Sequence, residues 1–255
     1  MAVHYAVDRA IATITLDSPE NRNALSAALV GDLSAGLAAA GDDAAVRAVV
    51  LTHTGTTFCA GADLKEQASE GGPAAGTKRM LGLLRSMVEL PKPVVARVDG
   101  NVRAGGVGLV GACDLALVGP AATFAFTEVR LGLAPAIISL TTLGRMSERA
   151  AARYYLTGET FDGDTAAACG LVTAAFHDTV ALDAEVATVC DALRRCSPQG
   201  LAETKPLTTA GTLAAFADRA EAVQAISQRL FESDEAREGM LSFLQKRPAA
   251  WVPTD

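Results

Sequence analysis

The chain has 255 residues, of which 50% are hydrophobic, 20% are charged and 5% are aromatic, and its formal net charge is −7. This composition excludes intrinsic disorder, collagen and a small disulfide-rich scaffold. The acidic balance argues against nucleic-acid binding, because contact with phosphates needs a basic surface.

The sequence offers no candidate for a membrane span, a signal peptide or a metal site. Its longest stretch without a charged residue, 48–62, is shorter than the roughly 20 apolar residues that cross a bilayer. Residues 1–9 lack a basic start followed by an apolar run, so they are interpreted as a strand and a cytoplasmic location is predicted. The five scattered cysteines have no metal-ligand spacing and are predicted to be reduced and mostly buried.

Strand and helix patterns alternate through the first 197 residues. Runs rich in β-branched residues predict strands over 5–9, 10–16, 47–52, 93–98, 115–118 and 171–176. The spacing of apolar residues predicts helices over 24–40, 78–89, 148–156 and 182–195. Strands that recur between helices are typical of an α/β fold with a largely buried sheet.

The pattern changes after residue 197. Apolar residues then recur every three or four positions between Leu213 and Leu230, and a second helix is predicted over 235–245. We therefore divide the chain into an α/β core at 1–197 and a helical region at 198–255. The apolar stripe of that region has to be buried against its own core or a neighbouring subunit.

Three loops carry the residues best suited to chemistry, namely 58–64, 99–108 and 127–132. The first two follow strands and lead into helical stretches, and their small residues let backbone N–H groups approach a ligand closely. Side by side, these two loops would form an oxyanion hole, a pair of donors for a negatively charged oxygen. The alternative is that Gly and Ala only allow the chain to turn sharply there.

The third loop contains an isolated acid. Glu128 is the only charged residue between Asp114 and Arg130, and its neighbours are mostly apolar. We predict a partly desolvated carboxyl group with a raised pKa, which suits proton transfer. The alternative is a structural ion pair with Arg130 or Arg145.

Residues 106–111 match the dinucleotide-binding pattern G-x-G-x-x-G. Asp114 follows the last glycine after only three residues, which leaves too short a helix for a βαβ unit, so a Rossmann dehydrogenase is not favoured. The three histidines have no partner at a diagnostic spacing, and neither a serine-hydrolase elbow nor a zinc-protease motif occurs. Serine-hydrolase and zinc mechanisms therefore have no support in the sequence.

A series of short motifs runs through the chain in a specific order. The motifs are 21–25 (Asn-Arg-Asn-Ala-Leu), 58–64, 92–100, 104–106, 113–114, Glu128 with Gly132 and Pro135, 156–158, 167–172 and 238–247. With them the chain resembles the enoyl-CoA hydratase/isomerase (crotonase) family over nearly its whole length. The resemblance implies an α/β, crotonase-like spiral of ββα units, followed by a C-terminal helical trimerisation region.

The resemblance also implies where an acyl-CoA thioester binds. The backbone N–H groups of Ala62 and Gly105 would hold the thioester carbonyl, whose oxygen gains negative charge when an enolate forms. The residues implied for the pantetheine and adenosine portions are Arg22, Ala24, the loop Ala60, Ala62, Asp63, Leu64 and Lys65, and, from an adjacent subunit, Phe243 and Lys246. Coenzyme A enters as part of the substrate, so no separate cofactor is predicted. The expected partners are the acyl-CoA and further copies of this chain, in a homotrimer or homohexamer.

One position departs from the best-known hydratases of the family. Gly108 stands where they have a first catalytic glutamate, and only the second, Glu128, is present. In this the chain resembles the 3-methylglutaconyl-CoA hydratase branch, so hydration of a 2-enoyl-CoA is the favoured function. Double-bond isomerisation, which needs a single base, and non-catalytic acyl-CoA binding are the alternatives. Substrates of that branch carry a distal carboxylate, for which Arg103 or Arg130 is the candidate partner, unless both are surface or ion-paired arginines.

Overall fold

The computed structural model describes residues 2–63, 66 and 72–253. The strands in this part of the chain are β1 (Val3–Asp8), β2 (Ile11–Leu16), β3 (Ala48–His53), β4 (Thr57–Cys59), β5 (Val94–Val98), β6 (Asn101–Arg103), β7 (Leu115–Val118), β8 (Thr123–Ala125), β9 (Phe161–Asp162) and β10 (Ala174–Ala175). The α-helices are α1 (Ala27–Asp42), α2 (Gly72–Glu89), α3 (Gly105–Ala112), α4 (Ser139–Thr142), α5 (Glu148–Thr157), α6 (Gly163–Ala168), α7 (Thr179–Arg195), α8 (Pro198–Phe231) and α9 (Asp234–Leu244). Short 3₁₀ helices cover Pro19–Asn21 and Thr127–Leu131.

The strands form two sheets that follow one spiral. The larger sheet has the order β1-β2-β3-β5-β7-β10, and all its neighbours are parallel except the β1–β2 hairpin. The smaller sheet has the order β4-β6-β8-β9, and only its last pair is antiparallel. The successive pairs β3-β4, β5-β6 and β7-β8 each place one strand in each sheet. The predicted α/β fold class is therefore confirmed.

The sequence missed the smaller sheet and misplaced some boundaries. The strands of that sheet have only two or three residues, too few for a hydrophobic alternation to be recognised. The helix predicted from residue 24 begins at Ala27, because Ser26 caps its N-terminus with a side-chain hydrogen bond. The strand predicted over 171–176 forms only at Ala174–Ala175. The buried residues Leu171 and Val172, which precede these two, do not pair with β7.

Most apolar side chains belong to one core that lies between the sheets and the helices. Its largest members include Phe58, Phe124, Phe126 and Phe216, all fully buried. A second cluster, which includes Ile11, packs between the larger sheet and α7. All five cysteines are free and four of them are buried, as predicted.

The helical region packs on the body of its own chain. Helix α8 starts at Pro198 and buries Phe216 and Val223 in the main core. Lys205, also on α8, is only 4% exposed, and its Nζ lies 2.8 Å from Asp114 Oδ2. Part of the apolar stripe of the helical region is thus buried against the core of its own chain. A role of this region in oligomerisation stays a prediction. No helix in the part that the structure describes is long and apolar enough to cross a membrane.

Candidate active site

A cleft of about 520 Å³ opens where the loops after β4 and β6 meet the 3₁₀ helix that carries Glu128. Helices α2, α8 and α9 and the segments 21–25 and 133–138 contribute further parts of its wall. The residues that line the cleft include Arg22, Ala24, Leu25, Ala60, Ala62, Asp63, Arg79, Met80, Arg103, Ala104, Gly105, Glu128, Ile137, Ile138, Phe231 and Phe243. The cleft therefore brings together all three loops that the sequence singled out.

The two loops rich in small residues touch one another at this cleft. Gly61 has a φ of +92°, and a Cβ built on it would lie 2.9 Å from the Ala104 Cβ and 3.7 Å from the Gly105 nitrogen. Ala104 has a positive φ of 47°, which reverses the chain just before α3. The sharp turns offered as the alternative are thus present, and they are what allows the two loops to meet.

Two backbone donors in this contact have no internal acceptor. Neither the Ala62 N–H nor the Gly105 N–H donates a hydrogen bond within residues 2–63, 66 and 72–253. Gly105 is the first residue of α3, so its N–H has no partner inside the helix. The first loop is fixed from the other side, because the Leu25 N–H donates to the Gly61 carbonyl at 2.8 Å. Two unpaired N–H groups that line one cleft suit a developing oxyanion.

Glu128 lines the same cleft from the 3₁₀ helix Thr127–Leu131. Its Oε2 atom is buried and has no hydrogen-bond partner among the described residues. Burial raises the pKa of the carboxyl group from 4.5 to about 7, and a hydrogen bond with its own backbone opposes the shift. Near neutral pH the protonated and ionised forms are therefore similarly populated, so the group can both accept and donate a proton.

The ion pair weighed as an alternative for Glu128 does not form. Arg130 Nε donates to the Thr157 carbonyl at 3.2 Å, and Arg145 Nη2 donates to the Cys113 carbonyl at 3.2 Å. Both arginines are therefore used elsewhere. In the part of the chain that the structure describes, Glu128 is left without a counter-ion.

The position of the missing first acid has no room for a side chain. A Cβ built on Gly108 would lie 2.4 Å from Ile138 Cγ2 and 2.9 Å from Ile138 Cβ. Ile138 is 3% exposed and lines the cleft beside Ile137. A glutamate at position 108 would thus have to displace Ile138, so the solitary state of Glu128 is a property of the packing as well as of the sequence.

Comparison with known proteins decides the family. The family model described as enoyl-CoA hydratase/isomerase matches residues 6–253. The chain belongs to this family. The crystal structure of an enoyl-CoA hydratase from Mycobacterium avium is 53% identical, covers 98% of this chain and 99% of its own, and has a TM-score of 0.91. A relative from Thermus thermophilus is 34% identical over 243 residues, 93% of this chain and 96% of its own. The mevalonyl-coenzyme A hydratase of Aspergillus fumigatus is 31% identical over 254 residues, 96% of this chain and 92% of its own.

Most residues that the family resemblance implies for the CoA portion line the cleft. The Ala60 N–H donates to the Arg22 carbonyl at 3.1 Å, and Asn21 Nδ2 donates to Asp63 Oδ2 at 2.7 Å. These bonds join the 21–25 motif of the family to the loop after β4. Of the implied residues, Arg22, Ala24, Ala60, Ala62 and Asp63 line the cleft, and Leu64 and Lys65 lie outside the described residues.

The C-terminal helix of this family member closes over the cleft of its own chain. A Cβ built on Gly239 would lie 2.5 Å from the Leu131 carbonyl oxygen, so α9 packs backbone to backbone against the 3₁₀ helix of Glu128. Phe243 consequently lines the cleft of its own chain, and a contribution of this residue from an adjacent subunit stays a prediction. Lys246 follows α9 as an exposed residue with a positive φ of 54°. It is not among the residues that line the cleft in the described part of the chain.

Arg103 lines the cleft, but its guanidinium group donates hydrogen bonds to residues of the smaller sheet. Nη1 donates to the carbonyls of Val102 and Thr123 at 2.9 and 2.7 Å, and Nη2 donates to Asn101 Oδ1 and Thr123 Oγ1 at 3.1 and 2.9 Å. All four acceptors are neutral. A role for Arg103 or Arg130 in binding a distal carboxylate of the substrate stays a prediction.

Sequence reasoning missed several cleft residues, among them Arg79, Met80, Ile138 and Phe231. Arg79 and Met80 lie on a helix whose periodicity distinguishes a buried face from an exposed one but does not mark a ligand site. Ile138 lies in the stretch 135–139, in which no sequence feature marks a residue that lines the cleft. Phe231, at the end of α8, reaches the cleft only through the packing of that helix on the body, for which the sequence carries no signal.

Proposed function

We propose that this chain hydrates a 2-enoyl-CoA thioester, with the Ala62 and Gly105 amides as the oxyanion hole and Glu128 as the single acid/base. The observation that carries the proposal is the state of the Glu128 carboxyl group. It is buried and unpaired among the described residues, its pKa is about 7, and it shares one cleft with two unpaired N–H donors. The names of the relatives, which include an enoyl-CoA hydratase and a mevalonyl-coenzyme A hydratase, support the same reaction type.

The reaction adds one water molecule across the conjugated double bond. The two amides bind the thioester oxygen and so draw electrons away from the β-carbon. Ionised Glu128 takes one proton from the water while the water oxygen bonds to the β-carbon, and the π electrons move onto the thioester oxygen as an enolate. Protonated Glu128 then gives that proton to the α-carbon, and the thioester re-forms. One carboxyl group thus serves as base and then as acid, which a pKa near neutrality permits.

The test compares the wild-type protein with Glu128→Gln on crotonyl-CoA and on short branched 2-enoyl-CoAs. Hydration removes the conjugated double bond, so the absorbance of the enoyl thioester falls. We expect Glu128→Gln to lower kcat by about 10²- to 10⁴-fold, the usual contribution of a general acid/base. The matched control is Glu89→Gln, which neutralises an exposed glutamate outside the cleft. Unchanged turnover in Glu128→Gln would contradict the role assigned to this residue.

Isomerisation is the second candidate, because a single acid favours it. One base can move a proton between two carbons of an enolate held in the same oxyanion hole, and no water has to be activated. The assay supplies a 3-enoyl-CoA in ¹⁸O-labelled water. Gain of conjugation without label in the product identifies an isomerase, whereas labelled 3-hydroxyacyl-CoA formed from a 2-enoyl-CoA in a parallel assay identifies a hydratase. Tight acyl-CoA binding without turnover of any thioester would leave the third alternative, a non-catalytic acyl-CoA-binding protein.

The assembly is also a proposal. The family resemblance implies a homotrimer or a homohexamer, and the exposed apolar side chains Leu156 and Leu207 offer surface for contact between copies. Native mass spectrometry distinguishes these states from a monomer. The cleft already contains Phe243 of its own chain, so we expect acyl-CoA binding to survive dilution to the monomer.

A further inference from the structure

Helices α3 and α4 cross at two glycines on the same face of α3. The side chain of Ile138, just before α4, sits on Gly108, where a Cβ would lie 2.4 Å from Ile138 Cγ2. One turn further along, a Cβ on Gly111 would lie 2.7 Å from the Thr141 carbonyl oxygen. The absence of side chains at 108 and 111 is therefore what lets the backbone of α4 approach, and Ile138 fills the space above Gly108.

Hydroxyl groups hold Ile138 in this place. Thr141 Oγ1, which is buried, donates to the Gly108 carbonyl at 3.0 Å and to the Ile138 carbonyl at 3.2 Å, and so ties the two residues to one another. Thr142 Oγ1 donates to the Ile138 carbonyl at 2.7 Å and is itself in contact with the Tyr155 hydroxyl at 2.5 Å. These hydrogen bonds thus fix the position of Ile138 in the wall of the cleft.

This wall lies one helical turn from the oxyanion hole. Gly105 and Gly108 are three residues apart on α3, which places them on the same face about 4.5 Å apart along the helix axis. Met80 Cε confirms the shared face, because a Cβ built on Gly105 or on Gly108 would lie 3.5 or 3.4 Å from it. A thioester carbonyl held at the Gly105 N–H would therefore have its next carbons close to Ile138.

We infer that Ile138 is a specificity-determining residue, whose side chain over Gly108 contacts the acyl group near its β-carbon and limits the size of the substituents accepted there. The inference rests on the proposed function, because it takes the Gly105 amide as the anchor of the thioester. It places an apolar contact at the position where the best-known hydratases of the family have their first catalytic glutamate. The favoured acyl group at this point is thus an uncharged hydrocarbon, and its size is set by Ile138.

The test measures binding and so does not depend on turnover. Dissociation constants of butanoyl-CoA and 3-methylbutanoyl-CoA, two saturated thioesters that differ by one methyl group on the β-carbon, are determined for the wild-type protein and for Ile138→Ala. We expect Ile138→Ala to shift the ratio of the two constants by about tenfold in favour of the branched thioester. Ile138→Val, which removes a single methyl group, should shift the ratio in the same direction by about fourfold.

The matched control is Ile11→Ala, which removes the same atoms from a side chain that is 5% exposed, against 3% for Ile138, but lies in the core cluster beside α7. This variant should lose stability without changing the ratio. If Ile138→Ala does not fold, Ile138→Val decides the question. An unchanged ratio in the Ile138 variants, with acyl-CoA still bound, overturns the inference alone. Failure of the wild-type protein to bind either thioester overturns the proposed function and the inference with it.

Discussion

Two carboxyl groups of this protein each have an oxygen that is buried and accepts no hydrogen bond from the described residues, Glu128 Oε2 and Asp114 Oδ1. Their other contacts differ. Asp114 Oδ2 accepts the Val94 N–H at 2.7 Å and lies 2.8 Å from Lys205 Nζ. Glu128 has no cation beside it in the part of the chain that the structure describes. Asp114 therefore holds the helical region to the body, whereas Glu128 keeps the raised pKa of about 7 that proton transfer needs.

The presence of a counter-ion distinguishes Asp114, a structural carboxylate, from Glu128, the carboxylate proposed for proton transfer. Lys205 is bound on several sides, since its Nζ also donates to the carbonyls of Met87 and Lys92 at 2.9 and 3.0 Å. Burial lowers the pKa of its amine, and the charge of Asp114 opposes that shift. Around Glu128 the neighbouring arginines donate to carbonyl oxygens, and the place of a second acid is filled by Ile138.

The largest expected effect comes from removing the counter-ion of Asp114. Lys205→Met leaves a carboxylate buried without its counter-ion, and we expect the free energy of unfolding to fall by about 3–5 kcal/mol. Urea denaturation followed by circular dichroism measures this change. The double variant Lys205→Met with Asp114→Asn removes the uncompensated charge and should recover part of the loss. A loss of less than about 1 kcal/mol in the single variant would mean that water reaches Asp114 and that the two carboxyl groups are not different in kind.

The next effect concerns the cost of keeping Glu128 unpaired. Its pKa is about 7 in the folded protein and 4.5 without the influence of the fold, so the folded state binds the proton more tightly. As the pH rises from about 4.5 to above 7, the unfolded state ionises first, and the protein loses up to about 3 kcal/mol of stability on this account. Glu128→Gln cannot ionise and should lack this decline. The difference between the two curves of unfolding free energy against pH is the measurement, and a constant difference would show that Glu128 is well hydrated.

A smaller effect tests whether a side chain can be placed beside Glu128. Gly108→Ala puts a methyl group 2.4 Å from Ile138 Cγ2, and we expect the overpacking to cost about 1–3 kcal/mol of stability. The matched control is Gly31→Ala on α1, where a Cβ would meet nothing within 4 Å and should stabilise the helix by about 0.5–1 kcal/mol. Opposite signs in thermal unfolding support the packing described here. A stable Gly108→Ala would mean that Ile138 can move aside.

The two carboxyl groups also show how much of the structure could be predicted from the sequence. Glu128 could be found because it is isolated among apolar residues, a property that a reader of the sequence can see directly. The role of Asp114 could not be found, because Lys205 is distant in the chain and reaches it only through the packing of α8 on the body. The motifs of the family placed Ala62 and Gly105 in loops that do meet. They did not reveal that Ile138 fills the space above Gly108, because that depends on how two helices cross.

The smallest expected effect concerns an exposed ion pair, which is compared with the buried ion pair of Lys205 and Asp114. Arg85 and Glu89 form an ion pair at 2.7 Å on α2, the same nominal contact as Lys205 with Asp114, but their side chains are 54% and 47% exposed. Water and salt screen such a pair, so we expect Arg85→Met to change the free energy of unfolding by only about 0.3–0.5 kcal/mol, and less at high ionic strength. Urea denaturation at two salt concentrations measures this. A loss as large as that of Lys205→Met would mean that ion pairing itself, and not its burial, distinguishes the structural carboxylate from the chemical one.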